Sequence, residues 1–497
     1  MKIQQFFQHH GIIANPFADE DAQIDSIFKE HCIDRTYHPS WDKIFGEPSE
    51  PGTAIVFGEK GAGKTAMRLQ IARHLAEHNR AHPERRLFVI EYDDFNPYLD
   101  RFRESLRARS RRTDRALSEW KLWDHMDAIL SLGITQLVDR ILATPREASS
   151  SHTETGEPKI DALDRLQKRD LLMLAACYDR SWGAPFKPRM NRLRRSLRYF
   201  TWPVRRDFLV GVAVTAAGAA FIVWLQKWEW LATPWPFLAL LAGWFLWLWS
   251  VARWYREAWG IARQVRVIDH ETNALRQVLM RMPEEALAGQ PLPNRERSDD
   301  RFELLAKLQG ALKTLGYSGI IVLVDRVDEP HLINGSAEQM RAFVWPMLDN
   351  KFLKHPGLGI KLLLPIELAR FVERENRDFY QRARLDKQNM VPSLLWTGEA
   401  LYDVANDRLR ACAADGRAPK LRDLFDGSID DRRLIESLRT LRVPRHLFKF
   451  LYRLLVAHTS AHTDDEPVWQ VNRATFESTL ALYQRDQDAF DRGVGAG

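Results

Sequence analysis

Apolar residues in this chain follow two rhythms: short, nearly unbroken runs, and longer segments spaced at three and four. Ala54–Phe57, Leu87–Tyr92, Ile320–Val324 and Ile360–Leu364 belong to the first kind. They read as strands covered on both faces in a parallel sheet, because a strand with one wet face would alternate instead. A further short strand is expected near Leu394–Trp396. Ala66–His78, Ile160–Tyr178, Phe302–Leu315 and His446–Val456 carry the helical spacing, and Glu399–Gln484 looks helical. The pattern predicts an α/β protein: a parallel, five-stranded sheet flanked by helices, with a C-terminal helical lid.

Two stretches break this alternation. Phe208–Leu225 and Phe237–Ala252 are apolar runs of 18 and 16 residues without a charge. Tryptophans 224, 228, 230 and 235 cluster around their connection, and 249, 254 and 259 mark the far exit. Aromatic belts of this kind sit at membrane interfaces. Gly211, Thr215 and Ala219 recur every fourth position, which lets two helices approach closely. The expectation is an inserted two-helix transmembrane hairpin in contact with membrane lipid. Arg205-Arg206 before it and Arg253, Arg256, Arg263 and Arg266 after it put both flanks, both termini and the sheet domain on the cytoplasmic side of a cell inner (plasma) membrane. Arg256–Arg281 is expected to continue the hairpin as one long helix, and Pro283–Arg301 to be a polar connector.

Charge supports this placement more than it supports a nucleic-acid partner. The formal net charge is +6, but 187–206 alone holds eight basic and no acidic residues, leaving the rest of the chain at −2. The three cysteines, Cys32, Cys177 and Cys412, show no metal-ligand or redox-pair spacing. No H-E-x-x-H or G-x-S-x-G motif occurs, so metalloprotease and α/β-hydrolase chemistry have no support. Met1–Gln5 lacks the apolar core of a signal peptide, so targeting is expected from the internal spans.

The chemistry-bearing motif follows the first strand. Gly58-Glu59-Lys60-Gly61-Ala62-Gly63-Lys64-Thr65 is a complete G-x-x-x-x-G-K-[ST] phosphate-binding loop between a strand and a helix. Its glycines let backbone N–H groups close around phosphates, and the following helix N-terminus adds partial positive charge. Lys64 would reach the β- and γ-phosphates of ATP, and the Thr65 hydroxyl would take a place on Mg²⁺. The complementary feature is Asp325-Arg326-Val327-Asp328-Glu329, at the C-terminal end of Ile320–Val324, where ligands bind in open α/β sheets. Asp325 is the expected second Mg²⁺ residue, and Asp328 or Glu329 the acid that orients the attacking water. Asp93-Asp94, ending the second strand, read as turn caps or as acids facing the site. Pro16 and Phe17 are candidates to wall the adenine.

With a loop at Gly58–Thr65, an acid-tipped strand ending at Asp325–Glu329 and apolar segments between them, the chain resembles KAP-type P-loop NTPases, relatives of the STAND and AAA+ ATPases. Its Asp-x-x-Asp-Glu ending is closer to STAND than to the Asp-Asp-x-Asp-Arg of KAP proteins. The resemblance makes Arg445, which follows Pro444 at a helix start, a lid arginine near the γ-phosphate. It also implies an ATP-driven switch acting through homo-oligomers or an effector protein, in bacterial signalling or anti-phage defence. A transporter subunit and a non-hydrolysing, nucleotide-gated scaffold are the competing expectations. The expected organisation is a leader (1–50), a first NTPase half (51–145), a linker and basic region (146–206) and the hairpin (207–252). A helical return (253–310), a second NTPase half (311–397) and the lid (398–497) complete it.

Overall fold

The computed structural model describes residues 1–108, 111, 113–143, 160–180, 185–199, 206–226, 234–282, 289–414 and 419–491. Five strands form one parallel sheet: β1 (Ala54–Gly58), β2 (Arg86–Tyr92), β3 (Tyr317–Val324), β4 (Leu358–Pro365) and β5 (Asn389–Val391), in the order β2-β3-β4-β1-β5. β1, β3 and β4 are covered on both faces, which explains their unbroken apolar runs. The last strand lies a few residues before the expected Leu394–Trp396. Leu394 still donates its backbone N–H to the Phe57 carbonyl at 2.8 Å, so the chain continues alongside β1 after the ladder ends.

Helix α1 (Lys64–Ala81) follows β1 and packs one sheet face through Met67, Ile71 and Leu75. The other face meets α2 (Leu122–Leu142), α3 (Arg165–Tyr178) and the remainder of the large central core. Next come α4 (Arg206–Leu225) and α5 (Trp235–Gln264), then α6 (Thr272–Leu279) and α7 (Ser298–Thr314), which leads into β3. The C-terminal region is helical as expected: α8 (Gly398–Ala411), α9 (Asp431–Arg439), α10 (Pro444–Ser460) and α11 (Arg473–Asp491). The leader is not separate from it, since Phe6, Phe7, Ile12 and Phe17 are buried in the same apolar cluster as the lid helices. Lys361, buried in the middle of β4, fastens the leader to the sheet by donating to the carbonyls of Ile44 and Phe45 at 2.8 and 2.9 Å.

α4 and α5 do pack as a hairpin. A Cβ on Gly211 would come within 2.9 Å of the Trp244 ring, and Trp244 Nε1 donates to Thr215 Oγ1 at 3.0 Å. The expectation that this hairpin spans a membrane is corrected. Among the described residues no helix is long and apolar enough to cross one. The uncharged runs of 18 and 16 residues fall short of the ~20 that a helix needs to cross the hydrocarbon layer. Beyond Ala252, α5 carries Arg253, Arg256, Glu257 and Arg263, and it buries Trp254, Ala258 and Ile261 in the central core. The two-span topology, the inner-membrane location and the transporter reading that rested on them are therefore withdrawn. The connection's Trp228 and Trp230, Arg205 and the whole of 146–159 lie outside the described residues. Nor does one helix cover Arg256–Arg281: α5 stops at Gln264, and the chain turns through Val265–Glu271 before α6.

A buried polar seam on α2 ties these parts together. Arg266, in that turn, pairs with Asp124 at 2.6 Å, and Arg301 on α7 pairs with Asp127 at 3.1 Å, where Tyr178 of α3 also donates at 2.7 Å. Between the two acids, His125 sits fully buried, with Nε2 2.7 Å from the Phe343 carbonyl and Nδ1 3.2 Å from the Tyr92 hydroxyl. Both ring nitrogens are satisfied by a neutral tautomer that donates from Nε2 and accepts at Nδ1. Burial pushes its pKa down to about 3. The folded state therefore resists protonation that the unfolded chain accepts below about 6.5. His125 contributes stability that is fully present above that pH and is lost as pH falls towards 3. Relative to a His125→Gln variant, the wild type should lose up to about 1.4 kcal/mol per pH unit below pH 6.5. Urea unfolding at pH 7.5, 6.0 and 5.0 measures the difference, and parallel curves for the two proteins would refute it.

Candidate functional site

The loop after β1 takes its shape from two glycines in the left-handed region, Gly61 at φ +88° and Gly63 at φ +90°. Lys64 then opens α1 with Gly63 as its N-cap, which leaves the helix's first N–H groups directed at the loop. Lys64 Nζ folds back to donate to the Gly58 and Glu59 carbonyls at 2.9 and 3.1 Å. Burial lowers its pKa, while Asp325 and Asp328 pull it upward. Glu59, Lys60 and Ala62 complete the loop, and Ala62 offers its carbonyl to Trp396 Nε1 at 2.9 Å.

β3 delivers Asp325 beside this loop, although β4 lies between β1 and β3 in the sheet. Thr65 Oγ1 donates to Asp325 Oδ2 at 2.8 Å, which joins motifs 260 residues apart. Asp325 is 1% exposed. Burial raises its pKa, opposed by the Thr65 hydrogen bond and the Arg68 charge.

Sequence reasoning missed Arg68. It lies one helical turn beyond Thr65 on α1 and is almost fully buried, with Nε 3.5 Å from Asp325 Oδ2 and Nη1 3.1 Å from Asp93. It also pairs with Glu91 on β2. The signal available was positional, since residues three apart on a helix share a face. Of the two acids after β2, Asp93 thus joins the site's charge network, while Asp94 Oδ1 accepts from the Asn96 N–H as a turn cap. Trp396 was likewise not identifiable as a loop support from its apolar run.

The remaining candidates are placed unevenly. Arg326 adopts φ +62° and pairs with Glu329, whose side chain is 52% exposed. Asp328 and Glu329 both line the cavity beside the loop, and the Asp328 carbonyl accepts from the Gly335 N–H at 2.9 Å. Arg445 stands at the start of α10 directly over the loop, its backbone N–H 3.4 Å from the Gly61 carbonyl. Its Nε lies 3.7 Å from Glu20, which also meets Lys449 at 3.3 Å. Pro16 and Phe17 do not wall the cavity. The Pro16 carbonyl accepts from Arg408, and Phe17 is buried against Phe448. The leader contributes Glu20, Phe28, Cys32 and His38 to the walls instead.

The Gly61–Arg445 contact makes a sharp prediction. A Cβ on Gly61 would lie 2.4 Å from the Arg445 Cβ, in a backbone conformation that side chains avoid. Gly61→Ala should therefore lift α10 from the loop or distort the loop. Strain of this kind costs about 1–3 kcal/mol. A lower denaturant midpoint than wild type is the expected result, and an unchanged midpoint would mean that the lid does not rest on the loop.

The chain matches no family model, no curated protein and no solved structure. The site must be interpreted from its own chemistry.

Proposed function

We propose that this chain is a P-loop ATPase that binds and hydrolyses Mg-ATP and uses the nucleotide to control its conformation or assembly. The observation that carries the proposal is the Thr65–Asp325 hydrogen bond at 2.8 Å, which brings a phosphate-loop hydroxyl and a strand-end carboxylate together beside Lys64. That pairing suits Mg²⁺, which takes one or two protein oxygens and completes its shell with phosphate oxygens and water. Mg²⁺ would be held by Thr65 and Asp325 and would supply charge neutralisation at the β- and γ-phosphates. Gly58, Glu59, Lys60, Gly61, Ala62 and Gly63 would surround the phosphates through their backbone, and Arg445 would meet the γ-phosphate from the lid.

The cavity measures about 180 Å³ and is lined by loop, strand end, leader and lid. Leader and lid form two of its walls, which would couple nucleotide occupancy to the position of α10. The resemblance to KAP, STAND and AAA+ proteins supports a switch in signalling or defence, acting through self-association or an effector. A non-hydrolysing scaffold is the second reading, favoured by one observation: the half-exposed Glu329 carboxylate is paired with Arg326. Phosphate release from Mg-ATP by the purified chain separates the two. Turnover abolished by EDTA supports the ATPase, and tight binding without turnover supports the scaffold.

A further inference from the structure

β2 ends the sheet, and among the described residues no strand pairs with its outer side. An open edge of this kind is a template for another strand, and proteins commonly blunt it with charges, proline or a cover. Here the edge is already partnered at one position by a side chain that imitates a strand. Asn79 Nδ2 donates to the Leu87 carbonyl at 2.9 Å, and the Leu87 N–H donates to Asn79 Oδ1 at 2.7 Å. Leu87 therefore presents its backbone outward, and by the two-residue period of a strand so do Val89 and Glu91.

Beside these two residues a cavity of about 750 Å³ runs between α1 and α2. α2 lines it with Leu132, Thr135, Gln136, Asp139 and Arg140, and α1 with the small Ala72 and Ala76. Side chains of that size let a second backbone come within hydrogen-bonding distance of the edge. At the C-terminal end of β2 the rim is acidic: Glu91 and Asp94 are exposed. The rim arginines are turned onto aromatic rings, Arg140 over Phe88 and Tyr317 and Arg180 over Tyr98.

We propose that this groove receives an extended peptide segment of a partner protein, added as a strand to the edge of β2. The segment is small or apolar where it faces Ala72 and Ala76, and it carries a basic residue opposite Glu91 and Asp94. Main-chain hydrogen bonds to Val89 and Glu91 give the affinity, and the acidic rim fixes register and specificity. Docking also reaches the nucleotide site, because Glu91 pairs with Arg68 and Arg68 lies 3.5 Å from Asp325. A peptide cation that takes Glu91 frees Arg68 to shift towards Asp325. Only this coupling rests on the ATPase reading; the binding does not.

The test uses the full chain and a phage-displayed library of random twelve-residue peptides, with each enriched sequence remade as a synthetic peptide. Enriched sequences should alternate small or apolar with polar residues and contain Lys or Arg. Binding should slow amide exchange in 87–92. Val89→Pro removes an outward N–H without touching the bonds to β3, and should weaken binding at least tenfold. Ala76→Trp fills the groove from α1 and should do the same, which guards against misfolding of either variant alone. Lys64→Ala should bind peptide as wild type does, even if it loses ATP. No enrichment, or peptides that bind both groove variants with unchanged affinity, would overturn the proposal. A peptide that binds as expected but leaves phosphate release unaltered would overturn only the coupling.

Discussion

Lys64→Ala is expected to abolish measurable ATP binding while the chain stays folded. The Lys64 ammonium is held on the Gly58 and Glu59 carbonyls and biased by Asp325 and Asp328. Those two hydrogen bonds are what the β- and γ-phosphates would replace. Removing one member of a buried, hydrogen-bonded charge pair costs about 2–5 kcal/mol, or roughly 30-fold to several thousand-fold in affinity. Loss of the lysine also leaves two carbonyls without their donor, so a modest fall in melting temperature is expected. Titration of a fluorescent ATP analogue, with circular dichroism to check the fold, gives the answer. Affinity within about threefold of wild type would remove the phosphate-loop assignment.

Glu329→Gln should keep ATP binding and slow hydrolysis by about 10²–10⁴-fold, the usual weight of a water-activating acid. Its pairing with Arg326 makes this a demanding prediction, because the carboxylate must leave that partner before it can face the γ-phosphate. Asp328→Asn is the necessary comparison, since Asp328 lines the same cavity. Single-turnover phosphate release for the two variants identifies the acid as the one with the larger loss. If neither variant slows release, neither acid activates the water and both assignments fall; if the wild type itself releases no phosphate, the scaffold reading replaces the ATPase.

Much of this site was legible because its chemistry is local in sequence. Eight consecutive residues specify the loop, and five apolar residues before an acid specify β3. What escaped depends on contacts between distant segments. Arg68 gains its meaning only from Glu91 and Asp93 at the end of β2 and from Asp325 after β3, two stretches far from it in sequence. The leader carries no motif that announces its partners, yet Asp25 pairs with Arg408, and Glu20 with Arg445 and Lys449. The return from the hairpin looked like one helix because no proline interrupts 256–281. It breaks because tertiary burial outweighs helix propensity there: Val265, Val267 and Ile268 are buried in the core, and Arg266 reaches Asp124. The spans were misread because tryptophan belts and short uncharged runs also fit helices whose lower half is packed in protein. The family resemblance stands on two motifs, and no further similarity extends it.

α5 has a mechanical consequence. It is a single helix of 30 residues, about 45 Å of rod at 1.5 Å per residue, with its second half set in the core by Trp254, Ala258 and Ile261. The first half projects with α4 packed against it. A tilt of roughly 5° at the embedded end would carry the Trp235 tip about 2 Å sideways over the ~22 Å that protrudes. Arg266, immediately past the embedded end, is pinned to Asp124 on α2, so rearrangement among the helices under the sheet would be magnified at the hairpin tip. The hairpin is built as a pointer whose pivot lies inside the folded core.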